Sequence, residues 1–180
     1  MEPLADKLRN LRKAQGLSLK QAASRIGCAP SYLSMVENAK LDPSVSRLKR
    51  IAEGLGTTIV ELFQEPDGGE VVMRRHRRPR ASFGRSRLRI EILAPPIPNK
   101  AMDARLAIVA PGGGSQGDYQ HPGEEFGLIL EGALELTVEN KTYQLSEGDS
   151  FYFQSRHEHR FFNPGDKDCT VLWVNHPPSW

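Results

Sequence analysis

The sequence has 180 residues, 38% of them hydrophobic and 26% charged, with a formal net charge of +2. That balance excludes a disordered or fibrous chain and leaves room for one mid-sized domain or two small ones. The opening Met1-Glu2-Pro3-Leu4-Ala5-Asp6-Lys7 has no apolar core of signal-peptide length, and no run approaches a membrane span. A cytoplasmic protein without a membrane partner is expected.

The charge is uneven along the chain. Residues 1–65 carry ten Lys/Arg against seven Asp/Glu, residues 66–100 nine against three, and residues 101–180 five against twelve. The running balance is +3, +6 and −7, which suggests a basic head for an anionic polymer on an acidic body with another task. Cys28 and Cys169 lie in different segments without CxxC spacing, and read as buried or half-buried thiols in a reducing compartment.

Leu4, Leu8 and Leu11 follow the i, i+4, i+7 spacing of a helix face, and Gly16 stops that helix. Ser18 can cap a second helix with Ala22, Ala23 and Ile26 inward, ended by Gly27. After the turn Gly27-Cys28-Ala29, Pro30 opens a third helix with Leu33 and Val36 as its core face. Ser31, Tyr32, Ser34, Met35 and Asn38 are then turned outward. A fourth helix buries Val45, Leu48, Ile51, Ala52 and Leu55, and Thr58 can cap a fifth over residues 59–63.

Two helices joined by a three-residue turn containing Gly, with a polar exposed face on the second, make the helix-turn-helix arrangement. The run Gly16-Leu17-Ser18-Leu19-Lys20-Gln21-Ala22-Ala23, continuing from Ile26 to Lys40, resembles the phage-repressor (XRE) type, and the likeness covers residues 4–63. The resemblance implies that Pro30, Ser31, Tyr32, Ser34 and Met35 read the major groove. It places Leu19, Lys20, Asn38 and Lys40 against phosphates and pairs Arg12 with Glu37. Ala39 stands where the family usually has glycine, and a left-handed backbone there costs more for Ala. The implied partner is a double-stranded DNA operator, bound as a homodimer on a pseudo-palindrome. A helical bundle that binds protein is the plain alternative.

Residues 64–70 contain Pro and two Gly beside acidic residues and read as a hinge, with 66–70 as the linker between domains 1–65 and 71–180. The run from Arg74 to Arg89 holds eight arginines. Val71-Val72-Met73 and the stretch Leu88 to Leu93 have strand composition, so these are expected as first strands of the second domain, with Arg74 to Arg80 near the DNA backbone. Pro95-Pro96-Ile97-Pro98 reads as a stiff connector.

From Arg105 onward, short strands recur every eight to twelve residues, at 106–109, 125–130, 134–138, 142–145, 150–153, 160–162 and 171–174. Such regular antiparallel strands suggest a jelly roll or closed barrel. His121 and Glu125 are four apart across a Pro-Gly turn, and His159 lies near the start of a later strand. Two imidazoles and a carboxylate suit Fe, Zn or Mn equally, or bind one another without metal.

Gly113-x5-Tyr119-x-His121-x3-Glu125-x6-Gly132 resembles the first cupin motif, and Gly148-x5-Gln154-x-Arg156-x2-His159-x3-Asn163 the second. The core motifs fall in residues 106–176. The domain order is similar to that of helix-turn-helix regulators with a C-terminal cupin sensor. Tyr119 stands where metal-binding cupins commonly have His, and Gln154 and Arg156 replace a proline and a glycine. The resemblance thus implies an all-α five-helix domain plus an all-β cupin barrel. Its small-molecule effector would meet Tyr119, His121, Glu125 and His159, with Phe126, Leu128, Phe151, Phe153, Phe161 and Trp173 as apolar lining. The rival reading is a mononuclear non-haem cupin enzyme of epoxidase or oxygenase type with the helices as scaffold.

Overall fold

The computed structural model describes residues 2–63, 71–97 and 100–178. The expected hinge at 64–70, with its linker 66–70, and Pro98 of the expected connector lie outside them.

Five helices form the N-terminal unit: α1 (Glu2–Ala14), α2 (Leu19–Ile26), α3 (Pro30–Glu37), α4 (Val45–Gly54) and α5 (Ile59–Phe63). Ser18 caps α2 with a full capping box, its side chain bonded to the Gln21 amide and the Gln21 side chain to the Ser18 amide. Gly27 closes α2 at φ 73°, a left-handed conformation that glycine adopts without strain. Thr58 caps α5 in the same reciprocal way, with Glu61 as its partner. Ala39 is left-handed at φ 54° despite its Cβ. Leu8, Leu33, Leu48 and Leu55 are fully buried among these helices. Arg12 and Glu37 form the expected pair, with Nε and Nη2 each 2.8 Å from a carboxylate oxygen.

Nine strands follow: β1 (Arg80–Phe83), β2 (Leu88–Ile92), β3 (Asp103–Val109), β4 (Glu124–Glu131), β5 (Ala133–Val138), β6 (Lys141–Ser146), β7 (Ser150–Gln154), β8 (His159–Phe162) and β9 (Cys169–His176). They make a six-stranded sheet in the order β1-β2-β3-β9-β4-β7 and a three-stranded sheet β6-β5-β8, antiparallel throughout. Strict inward–outward alternation along β3 and β9 gives the six-stranded sheet one core face. Every strand expected from residue 106 onward is present.

Two expectations in the arginine-rich stretch need correction. Val71 and Val72 are exposed and lie in no strand, because no neighbouring strand pairs with them to bury their side chains. The first strand lies instead inside the run of arginines: Ala81 and Phe83 face the core while Arg80 and Ser82 face out. Arg80 and Arg78 reach Glu91 on β2, at 3.0 and 3.6 Å. Part of the positive run is therefore matched by a cross-strand carboxylate.

The helical unit sits on the barrel through the start of α4. The Val45 amide donates to the Ser86 hydroxyl at 3.1 Å, the Ser46 hydroxyl to the Ser115 carbonyl at 3.0 Å, and the Gly84 amide to Asp42 at 3.0 Å. Ser44, the N-cap of α4, makes no capping bond of its own. A side chain from the barrel satisfies the first-turn N–H instead. Phe63 and Phe83 add an edge-to-face contact at 6.2 Å.

Candidate functional site

On α3, Pro30, Ser31 and Met35 are exposed, and Met35 is an apolar side chain held out in solvent. Tyr32 and Ser34 are half-buried: Tyr32 packs partly on the core with the Arg47 guanidinium over its ring, 5.6 Å from the centre. Lys20, Asn38 and Lys40 are exposed and Leu19 is half-buried. Asn38 is fixed by its neighbours, accepting from Arg9 at 2.5 Å and donating to the Ser34 carbonyl at 2.6 Å. Six of the nine are thus exposed and three half-buried, with α1 supplying the arginine that bonds Asn38.

Within the barrel, His121, Glu125 and His159 come together from three places in the chain. Glu125 faces inward from β4, His159 opens β8, and His121 is held beside them by its amide bonded to the Ser155 carbonyl at 2.9 Å. Gly113 allows the preceding loop to run close to the β1–β2 turn, since a Cβ there would lie 2.8 Å from the Ser86 and Arg87 carbonyls. Tyr119 is bridged to His159 by two backbone bonds of 3.1 and 3.0 Å, and its ring centre lies 4.2 Å from that imidazole.

The ligand atoms of His121, Glu125 and His159 lie within 4.8 Å of one another, and all three residues are buried. His121 Nδ1 lies 3.0 Å from the Pro122 carbonyl and His159 Nδ1 2.7 Å from the His157 carbonyl. A carbonyl can only accept, so each Nδ1 donates to it and each ring turns Nε2 inward. Both Nε2 atoms face Glu125 Oε1, at 2.5 and 3.5 Å.

Burial lowers the His121 pKa, the Glu125 hydrogen bond opposing it, and so favours the neutral ring. Burial works to raise the Glu125 pKa, but the two imidazoles and the charge of Lys49 outweigh it and hold it well below the carboxylate range. Two imidazole nitrogens and a carboxylate oxygen therefore converge in one buried place. A divalent cation fits that donor set, and the carbonyls behind each imidazole are the supports that such ligands need.

The apolar surroundings are divided differently from expectation. Phe151, Phe153, Phe161 and Trp173 form one inward aromatic cluster, with Trp173 5.0 Å from Phe151 and 5.2 Å from Phe161. Phe126 does not line this space and is 42% exposed, and Leu128 faces the same outer side. Glu125 occupies the inward position, so alternation sends both neighbours of Glu125, and Leu128 beyond, to one face. Beside His121 an open recess is lined by Gln120, Pro122, Glu124, Gln154 and Arg156, including both residues that depart from the second motif.

The Helix-turn-helix family matches residues 8–62 and the Cupin domain family matches residues 105–175. The HTH-type transcriptional regulator PuuR of Escherichia coli (strain K12) is 27% identical over 177 residues, 97% of this chain and 95% of that one. The chain thus joins a domain of the Helix-turn-helix family to a domain of the Cupin family.

An HTH_3 family transcriptional regulator from Vibrio cholerae superposes with a TM-score of 0.76 at 22% identity, covering 98% of this chain and 96% of that one. Hydroxypropylphosphonic acid epoxidase from S. wedmorenis has the same fold, with a TM-score of 0.51 at 21% identity and 97% of each chain covered.

The roles of three residues at the cupin site escaped sequence reasoning. Trp173, expected only as lining, donates its indole N–H to Glu125 Oε2 at 2.6 Å. Arg105 is 1% exposed on the inward side of β3, bonded to Asn175 and over the Trp173 ring. Lys49 comes from the helix-turn-helix domain, is 1% exposed, and stands 5.4 Å from the Tyr119 ring centre. Position in a strand or helix marks none of the three. His176 lies 2.6 Å from the Ala101 carbonyl through Nδ1, and His157 pairs with Glu139 at 2.6 Å on the surface.

Proposed function

We propose that this chain is a cytoplasmic one-component transcription regulator whose cupin domain, when occupied, alters operator binding. Its helix-turn-helix domain (1–65) is joined by the linker 66–70 to the cupin domain (71–180). Supporting the DNA reading are the outward side chains of α3 and a full-length relative named as a transcriptional regulator. Ser31, Ser34 and Met35, with Pro30 and Tyr32, meet base edges, and Leu19, Lys20, Asn38 and Lys40 meet phosphates. The reading face carries no charge of its own, so DNA shape contributes to specificity.

In the cupin domain, His121, Glu125 and His159 would hold a divalent cation, whose role is to supply a polarising charge and open coordination positions. The recess at His121, with Gln120, Gln154 and Arg156 on its rim, is where a small polar effector would approach. Tyr119 and the aromatic cluster of Phe151 and Phe161 close the site on its inner side.

A homodimer is supported by the outer face of the six-stranded sheet. Phe126, Leu130 and Tyr152 are 42%, 43% and 62% exposed there, beside half-buried Leu106, Leu128 and Leu172. An apolar face of this extent suits a second copy, which would set two reading helices at half-site spacing.

The observation that carries the regulator reading is the exposed α3 face on a domain fixed to a buried donor cluster. Fluorescence anisotropy with DNA from the protein's own upstream region tests it. Specific binding that weakens steeply with salt is expected, and equal affinity for unrelated DNA would sink it. Against the epoxidase-type alternative stands the full-length regulator relative.

A further inference from the structure

Lys49 belongs to α4 of the helix-turn-helix domain, yet its side chain ends inside the cupin domain. The charged groups it faces are Glu125 and Arg105 of the barrel and Glu53 of its own helix. Arg105 in turn faces Glu125 and Asp103. Asp103 is already engaged by Lys100 at 2.8 Å. The buried centre of the barrel thus sets two cations, Lys49 and Arg105, around the carboxylate of Glu125. In such a poorly hydrated space charges act on one another far more strongly than at the surface.

The seat of Lys49 is also the seat of α4. Val45 and Ser46, one turn before it, make the hydrogen bonds to Ser86 and Ser115 that fasten the helix to the barrel. Anything that drives the ammonium out of the barrel therefore strains those contacts. A divalent cation on His121, Glu125 and His159 would do so twice over. It neutralises the carboxylate that attracts the ammonium, and it adds like charge beside it.

We propose that Lys49 couples the two domains: its ammonium, inserted from α4, and a divalent cation held by His121, Glu125 and His159 oppose each other, so that cation binding loosens the seat of α4 on the barrel. By reciprocity, Lys49 weakens cation binding by the same factor by which the cation weakens docking. The consequence at DNA rests on the regulator reading, whereas the coupling itself is a property of the two domains.

Co2+ is the probe, titrated just below pH 7, where folded Lys49 keeps its proton, into the full chain and into Lys49→Met while the visible absorption of the bound ion is followed. Lys49→Met is expected to bind Co2+ about tenfold more tightly or better, and Lys49→Arg, which keeps the charge, to retain the wild-type affinity. Lys49→Gln serves as a second neutral variant if the Met variant unfolds. Hydrogen exchange supplies a readout without DNA: Co2+ should speed exchange of the Val45 amide in the wild type and leave it unchanged in His121→Ala.

Equal Co2+ affinity in wild type and Lys49→Met would overturn the proposal. So would absence of Co2+ binding in both, equal tightening in Lys49→Arg, or an indifferent Val45 amide. Operator affinity should change with Co2+ in the wild type and not in Lys49→Met. If affinity and exchange behave as expected but no DNA is bound, the regulator reading fails and the coupling stands.

Discussion

Trp173 on β9 holds Glu125 on the adjacent β4 by an indole N–H···Oε2 bond of 2.6 Å. That bond occupies one carboxylate oxygen and leaves Oε1 aimed at His121 and His159. Trp173 is thus a positioning residue for the donor cluster.

Its removal should be felt at the cation. Trp173→Phe is expected to weaken Co2+ binding about 10–100-fold, and His121→Ala, which deletes a ligand, to abolish it. Both are read by metal titration, with thermal melts to establish that the variants fold. An unchanged affinity in Trp173→Phe would show that Glu125 needs no such support.

Lys49 makes stability depend on pH. Burial brings its pKa down from 10.5 to about 7, partly offset by Glu125. Between those values the unfolded chain holds a proton that the folded chain has released, so stability rises with pH across this window. Below pH 7 both states are protonated and the full cost of burying the ammonium is present. Relative to Lys49→Met, the wild type should gain on the order of 1 kcal/mol per pH unit within the window. Urea denaturation of both proteins from pH 7 to 9 measures this, and a constant difference between them refutes it.

Arg12 and Glu37 are tied by two bonds of 2.8 Å, with Glu37 only 2% exposed, and Arg12 also donates to the Leu17 carbonyl at 2.8 Å. Removing either partner strands the other away from water. Arg12→Ala or Glu37→Ala should cost about 3–5 kcal/mol, and the double variant clearly less than their sum. A double-mutant cycle by chemical denaturation checks it.

Ala39 holds a left-handed backbone at φ 54° in the turn after α3. Glycine takes that conformation without the Cβ clash, so Ala39→Gly should stabilise the protein by about 1 kcal/mol. A lowered melting temperature would contradict it.

Cys28 is half-buried and Cys169 fully buried, with burial pushing the Cys169 thiol up to about 11. Iodoacetamide should therefore label Cys28 first and reach Cys169 only on unfolding, as mass spectrometry of the native protein would reveal.

Much of this protein is legible from neighbouring residues. Ser18, Gly27 and Pro30 mark helix ends because capping is a contact within one turn of chain. Leu4, Leu8 and Leu11, or Leu106 to Val109, declare their elements through periods of 3.6 and 2. The spacing of His121, Glu125 and His159 likewise carried the donor cluster.

What the period cannot say is which face of a strand goes in. On β4 the polar Glu125 took the inner face and sent Phe126 out, an inversion that only a buried partner such as Trp173 makes tolerable. The strand of Ala81 and Phe83 was hidden among arginines because Glu91, which balances two of them, lies on the next strand. Val71 and Val72 failed as a strand because no partner strand came alongside. Lys49 carries no local mark, since the barrel groups it faces lie more than 50 positions away. Local spacing determines the elements and the candidate ligands. Desolvation and pairing of charge, which exist only once distant segments meet, decide what those residues face.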